Sequence, residues 1–116
     1  PPQLDTPLPQ SHSGVYQSND ATFTFNGDGK TVLIYLSDRY LELLDNPLNN
    51  TEYFYTFTWY DFGEYRYDGA TNIILYHEDT KTSLNFSLYE ASSYERIILS
   101  FPIPDKENQV LERVSD

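Results

Sequence analysis

The sequence predicts an all-β fold, a single antiparallel up-and-down meander of about eight strands closing into a small barrel. Three observations carry this expectation. Apolar residues alternate with polar ones at period two over most of the chain, the pattern of strands with one face on a core. Aromatic residues make up 16% of the 116 residues, with Tyr 11, Phe 7 and Trp 1, and these suit a pleated, half-buried surface. Turn residues such as Asn, Asp and Gly punctuate the alternation at short intervals.

The first segment, Pro1–Ser13 (PPQLDTPLPQSHS), holds four of the seven prolines and no apolar period, so it reads as an extended tether. Gly14-Val15-Tyr16-Gln17-Ser18 is a short opening strand. Ala21 to Phe25 follows, with Phe23 and Phe25 on one face and Thr22 and Thr24 on the other. Asn26-Gly27-Asp28-Gly29-Lys30 is a hairpin turn, because Asn and Gly accept positive φ, and Thr31 to Leu36 leaves it as a strand. Ser37 to Asp45 fits either a helical turn capped by Ser37 or Asp38, or a bulged strand, and Asn46-Pro47 ends both versions.

Tyr53 to Tyr60 is the longest strand signal, with Tyr53, Tyr55, Phe57 and Trp59 on one face and Thr56 and Thr58 on the other. Asp61-Phe62-Gly63 turns the chain, Glu64 to Tyr67 returns it, and Asp68-Gly69 is expected to turn it again. Asn72–His77, Thr82–Tyr89 and Tyr94–Phe101 complete the set. Consecutive hairpins favour an up-and-down barrel, and closure removes edges that such strands could not leave open. The barrel domain is expected over residues 14–104. Residues 105–116 are expected as a charged tail, where Val110, Leu111 and Val114 have the spacing of a short helix.

Charge and composition bound the function. Lys+Arg 7 against Asp+Glu 18 gives a net charge of −11, which argues against nucleic acid and anionic lipid as partners. The chain contains no Cys, so neither disulfides nor thiolate metal sites enter. No apolar run approaches the ~18–20 residues of a membrane-spanning helix. The sequence opens at Pro1 and holds no Met, which leads us to expect a processed product.

The Gly14–Ser18 strand and the hairpin Phe23-Thr24-Phe25-Asn26-Gly27-Asp28-Gly29-Lys30 resemble the start of small lipocalin-like domains in bacterial secreted lipoproteins. Tyr65-Arg66-Tyr67-Asp68-Gly69-Ala70-Thr71-Asn72-Ile73-Ile74-Leu75 resembles a later step of the same domains. The resemblance covers residues 14–101, leaves out the Ser37–Asn50 insertion, and brings no catalytic residues with it. It implies an extracytoplasmic setting, with Pro1–Ser13 spacing the barrel from a lipid-anchored terminus.

Candidate chemistry is sparse. Asn26-Gly27-Asp28-Gly29 looks like the start of a calcium loop, but the twelfth position is Ser37 where a bidentate Glu is needed. No metal or other cofactor is therefore expected. Asn49-Asn50-Thr51 and Asn85-Phe86-Ser87 match glycosylation sequons and are read as coincidence. His77-Glu78-Asp79 is the one place where a histidine adjoins carboxylates; His77 and Glu78 alternate faces, and the stretch scans as an exposed polar turn.

The aromatic stripe remains the best candidate, because aromatic rings stack on sugars or fill apolar pockets. Tyr53, Tyr55, Trp59, Tyr60, Tyr65, Tyr67 and Tyr76 are the expected ligand-contacting residues. The Tyr53–Trp59 face also fits plain core. The leading expectation is a non-enzymatic extracytoplasmic domain that recognises protein or glycan through exposed tyrosines. The alternative is a carrier of a small apolar ligand in an interior lined by Phe57, Trp59, Leu75 and Phe86. A small hydrolase using His77 comes last.

Overall fold

A computed structural model describes residues 13–62, 65–88, 95–100 and 108–115, with the side chains of 59–62 and 65–70 left outside that description. The chain is an all-β meander, as its alternation predicts. β1 (Ser13–Gln17), β2 (Ala21–Asn26), β3 (Thr31–Leu36), β4 (Thr51–Phe62), β5 (Tyr65–His77), β6 (Thr82–Leu88), β7 (Arg96–Ser100) and β8 (Gln109–Ser115) follow one another in space as in sequence. Each pairs antiparallel with the next, and β8 returns to β1, so the sheet closes into a barrel. One short helix, α1 (Asp38–Leu43), sits between β3 and β4.

The core is the inner face of this barrel, and strand parity assigns it. Phe23 and Phe25 on β2, Val32, Ile34 and Leu36 on β3, and Ile73 and Leu75 on β5 all point inward and are buried. Phe25 is the hub of the aromatic packing. Its ring lies 5.0 Å from Tyr55 and 5.6 Å from Tyr16, both edge to face, and 6.3 Å from Phe57 in a stacked arrangement. Such offset and edge-on pairs add to the burial of large apolar surfaces.

Three details depart from the sequence expectation. Residues 109–115 are strand β8 and not a tail or a helix. Their spacing is also compatible with alternation, and only Leu111 is buried; it pairs with Ile97 across the sheet. Helical spacing is overruled because the barrel needs a strand to join β7 to β1.

The expected turn at Asp68-Gly69 is likewise absent. β5 runs through it to His77, and the extra residues are absorbed as register shifts against β4 around Trp59, where Thr58 faces Asn72, Trp59 faces Ala70 and Tyr60 faces Tyr67. A glycine inside a strand marks a bulge as readily as a turn. The third departure is at the start, where Ser13 already belongs to β1. The rest of the expected tether, residues 1–12, lies outside the described residues.

Ser37–Asp45 takes the helical alternative. Ser37 caps α1, its hydroxyl accepting from the Tyr40 amide at 3.3 Å and donating to Asp20 Oδ1 at 2.8 Å. Asp38 in the first turn suits the positive end of the helix. Tyr40 enters the core, and Leu41, Leu43 and Leu44 are half-buried against that core, so α1 is anchored to the barrel by its apolar side chains. Asp45 and Asn46, at φ 64° and 53°, then bend the chain away.

Burial would push the Asp20 carboxyl up, but hydrogen bonds from Arg39 and Ser37 and the Arg39 charge outweigh it and hold the group below its ordinary range. The Asn49 side chain docks the returning loop by accepting from the Leu36 amide at 2.8 Å and donating to the Leu36 carbonyl at 3.0 Å. That engagement supports reading Asn49 as a structural residue.

Candidate functional site

The expected ligand-contacting residues divide by face. Tyr53 and Tyr55 point into the barrel and are 1% and 3% exposed, so neither presents a surface to a partner outside. Their parity with Phe57 fixes this, and Phe57 is equally buried. The Tyr53 phenol is satisfied inside the protein, donating to the Leu48 carbonyl at 2.6 Å, and burial raises its pKa above 10.0. Tyr76 has the opposite parity to Leu75 and His77 and is 37% exposed. The side chains of Trp59, Tyr60, Tyr65 and Tyr67 lie outside the described residues. Their backbones belong to β4 and β5, beyond the stretches of these strands for which pairing to β3 and β6 is described.

On the outer face, Phe54 stands directly opposite Tyr76 in the β4–β5 register. Sequence reasoning followed the inward stripe and passed over Phe54, which is 44% exposed. Its parity was the available signal, since Phe54 falls between Tyr53 and Tyr55. Directly opposed residues on adjacent strands bring their Cβ atoms to about 4.5–5.5 Å, so Phe54 and Tyr76 are neighbours on the outer face.

Beside this pair lies an open cleft of about 290 Å³. Phe54, Thr31, Glu52, His77, Glu78 and Asp79 line it, together with Thr51 and Tyr53 at the start of β4. Glu78 and Asp79 are exposed in the turn that joins β5 to β6. Glu52 Oε2 accepts from Asn26 Nδ2 at 2.6 Å.

His77 corrects the sequence reading. It is not part of an exposed turn; it ends the inward row of Ile73 and Leu75 and is only 7% exposed. Its ring meets Tyr53 edge on at 5.2 Å, and Nε2 lies 3.4 Å from the Thr51 hydroxyl. Nδ1 is buried without a hydrogen-bond partner. Glu78, the next residue, is exposed.

Among the described residues no group of three His, Asp or Glu side chains is placed to hold a metal ion. Nor is any helix among them long and apolar enough to cross a membrane. Comparison with protein-family models, with curated proteins and with solved structures finds no match for this chain.

Proposed function

We propose that this chain is a non-enzymatic binding domain that works outside the cytoplasm and meets a protein or glycan through aromatic side chains on the outside of its barrel. The observation that carries this reading is the Phe54–Tyr76 pair: two large aromatic residues, opposed across β4 and β5, more than a third exposed, with Phe54 lining a cleft. Exposed aromatics side by side mark binding surfaces more often than isolated ones do.

The interior supports the same choice. Phe25, Tyr55 and Phe57 pack ring on ring, and Leu75 and Phe86 are buried among the core residues, where a carrier of an apolar ligand would need open space. The extracytoplasmic setting rests on the resemblance of Gly14–Ser18 and Phe23–Lys30 to small lipocalin-like domains of bacterial secreted lipoproteins. The closed eight-stranded antiparallel barrel is consistent with it.

Amide chemical-shift mapping tests the reading. Oligosaccharides and short peptides are expected to move the amides around Phe54 and Tyr76, and a Phe54→Ser/Tyr76→Ser variant to abolish the shifts. Laurate shifting Phe57, Leu75 and Phe86 instead would transfer the function to the barrel interior and overturn the surface reading.

A further inference from the structure

We propose that the face around Phe54 and Tyr76 accepts a lysine or arginine of a partner protein, flanked in that partner by an apolar residue. The inference rests on the surface reading above and names its partner. In the bound state the apolar residue lies against the two rings, and the cation enters the adjoining cleft among Glu52, Glu78 and Asp79.

Size argues first. At about 290 Å³ the cleft has room for one long side chain of a larger ligand. Charge argues second. Three of its lining residues are carboxylates and none is Lys or Arg. Among the described residues the ion pair formed is Arg39–Asp20, and Glu78 and Asp79 take part in none. Lys81 shares their turn but does not line the cleft. A cation entering the cleft gains the attraction of these acidic lining residues.

Chemistry argues third. Phe54 lies at the boundary between the aromatic pair and the cleft, where its ring face can meet an ammonium or guanidinium group. The net charge of −11 steers a basic partner toward the molecule and turns an acidic one away.

Two blocked pentapeptides test this, Gly-Lys-Phe-Lys-Gly and Gly-Gln-Phe-Gln-Gly, titrated against the full chain with chemical-shift mapping. The lysine peptide is expected to move the amides around Phe54, Tyr76 and Glu78 with a Kd of about 1 mM or tighter at low salt. Its binding should weaken at least about fivefold near 1 M salt, where the Debye length falls to about 3 Å. The glutamine peptide, and a Glu78→Gln/Asp79→Asn variant challenged with the lysine peptide, should each bind at least about tenfold more weakly.

Both substitutions fall on exposed turn residues, and an unchanged amide spectrum elsewhere reports the intact fold. Equal binding of the two peptides, or an unaffected variant, overturns the inference. If oligosaccharides or the neutral peptide move Phe54 and Tyr76 while the lysines add nothing, the cation site falls and the surface reading stands. If no probe moves this face, both fall.

Discussion

The Tyr53 phenol reaches out of the sheet to the carbonyl of Leu48, at 2.6 Å, and so ties the loop after α1 to the first turn of β4. Tyr53→Phe keeps the ring and loses this bond, leaving a carbonyl without its donor. A loss of about 1–2 kcal/mol in unfolding free energy is expected, read by denaturant titration. The pH dependence carries a sign. Burial raises the folded pKa, so the unfolded chain ionises first, near 10.0, and stability is lost as pH rises from there through the folded value. The difference in stability between wild type and Tyr53→Phe should therefore shrink above pH 10.

Asp28 gives the opposite limb. Hydrogen bonds from the Thr31 hydroxyl, the Thr31 amide and the Lys30 amide hold its pKa at about 2, below the ordinary 3.8. The stabilising contribution is present above 3.8 and lost as pH falls through about 2. Carbon-detected titration of the Asp28 carboxyl should give a midpoint near 2, and Asp28→Ala should flatten the acid limb of the stability profile.

Two glycines with positive φ should differ in their tolerance of alanine. At Gly14, φ is +113° and an added Cβ would lie 2.6 Å from the Ser115 carbonyl oxygen, across the β1–β8 seam. Gly14→Ala is expected to cost about 2 kcal/mol or more, from strain and collision together. At Gly27, φ is +79° but the nearest atom is the Ser13 Cβ at 3.5 Å, an ordinary contact. Gly27→Ala should cost only the backbone strain, about 1 kcal/mol. Denaturation midpoints of the two variants decide the order.

Along β4 the two faces should separate cleanly. Phe57→Ala empties a buried site 3% exposed and should cost about 3–5 kcal/mol. Phe54→Ala, at 44% exposed, removes one cross-strand partner of Tyr76 and should cost within about 1 kcal/mol. A large loss at Phe54 would place it in the core and not on a binding face.

The strands were legible because a period of two survives in almost every one of them, and closure followed from the order of hairpins. What alternation could not convey was which apolar residue ends a row. His77 reads as a turn residue from its acidic neighbours, yet parity with Ile73 and Leu75 draws it inside. Phe54 is hidden in a run of aromatics where neither face is polar at that point.

β8 was missed because seven residues with three scattered apolar positions fit two periods, and only the unpaired edges of β7 and β1 decide between them. The cleft is beyond sequence reasoning altogether, since Thr31, Glu52 and Glu78 come from three separate strand ends.

The β1–β8 seam has a consequence for how the domain can be joined to other chains. Val15 lies opposite Ser115, so the strand that opens the barrel and the strand that closes it reach the same end, side by side at the roughly 5 Å spacing of paired strands. α1 and the β5–β6 turn, with Glu78 and Asp79, occupy the opposite end. A partner chain fused next to Ser13 and one fused next to Ser115 would thus be attached at neighbouring points of the barrel. The same adjacency makes the cut in the ring movable: a short linker from Ser115 to Ser13, with new termini opened between Asp79 and Lys81, should yield a circular permutant with the same eight strands.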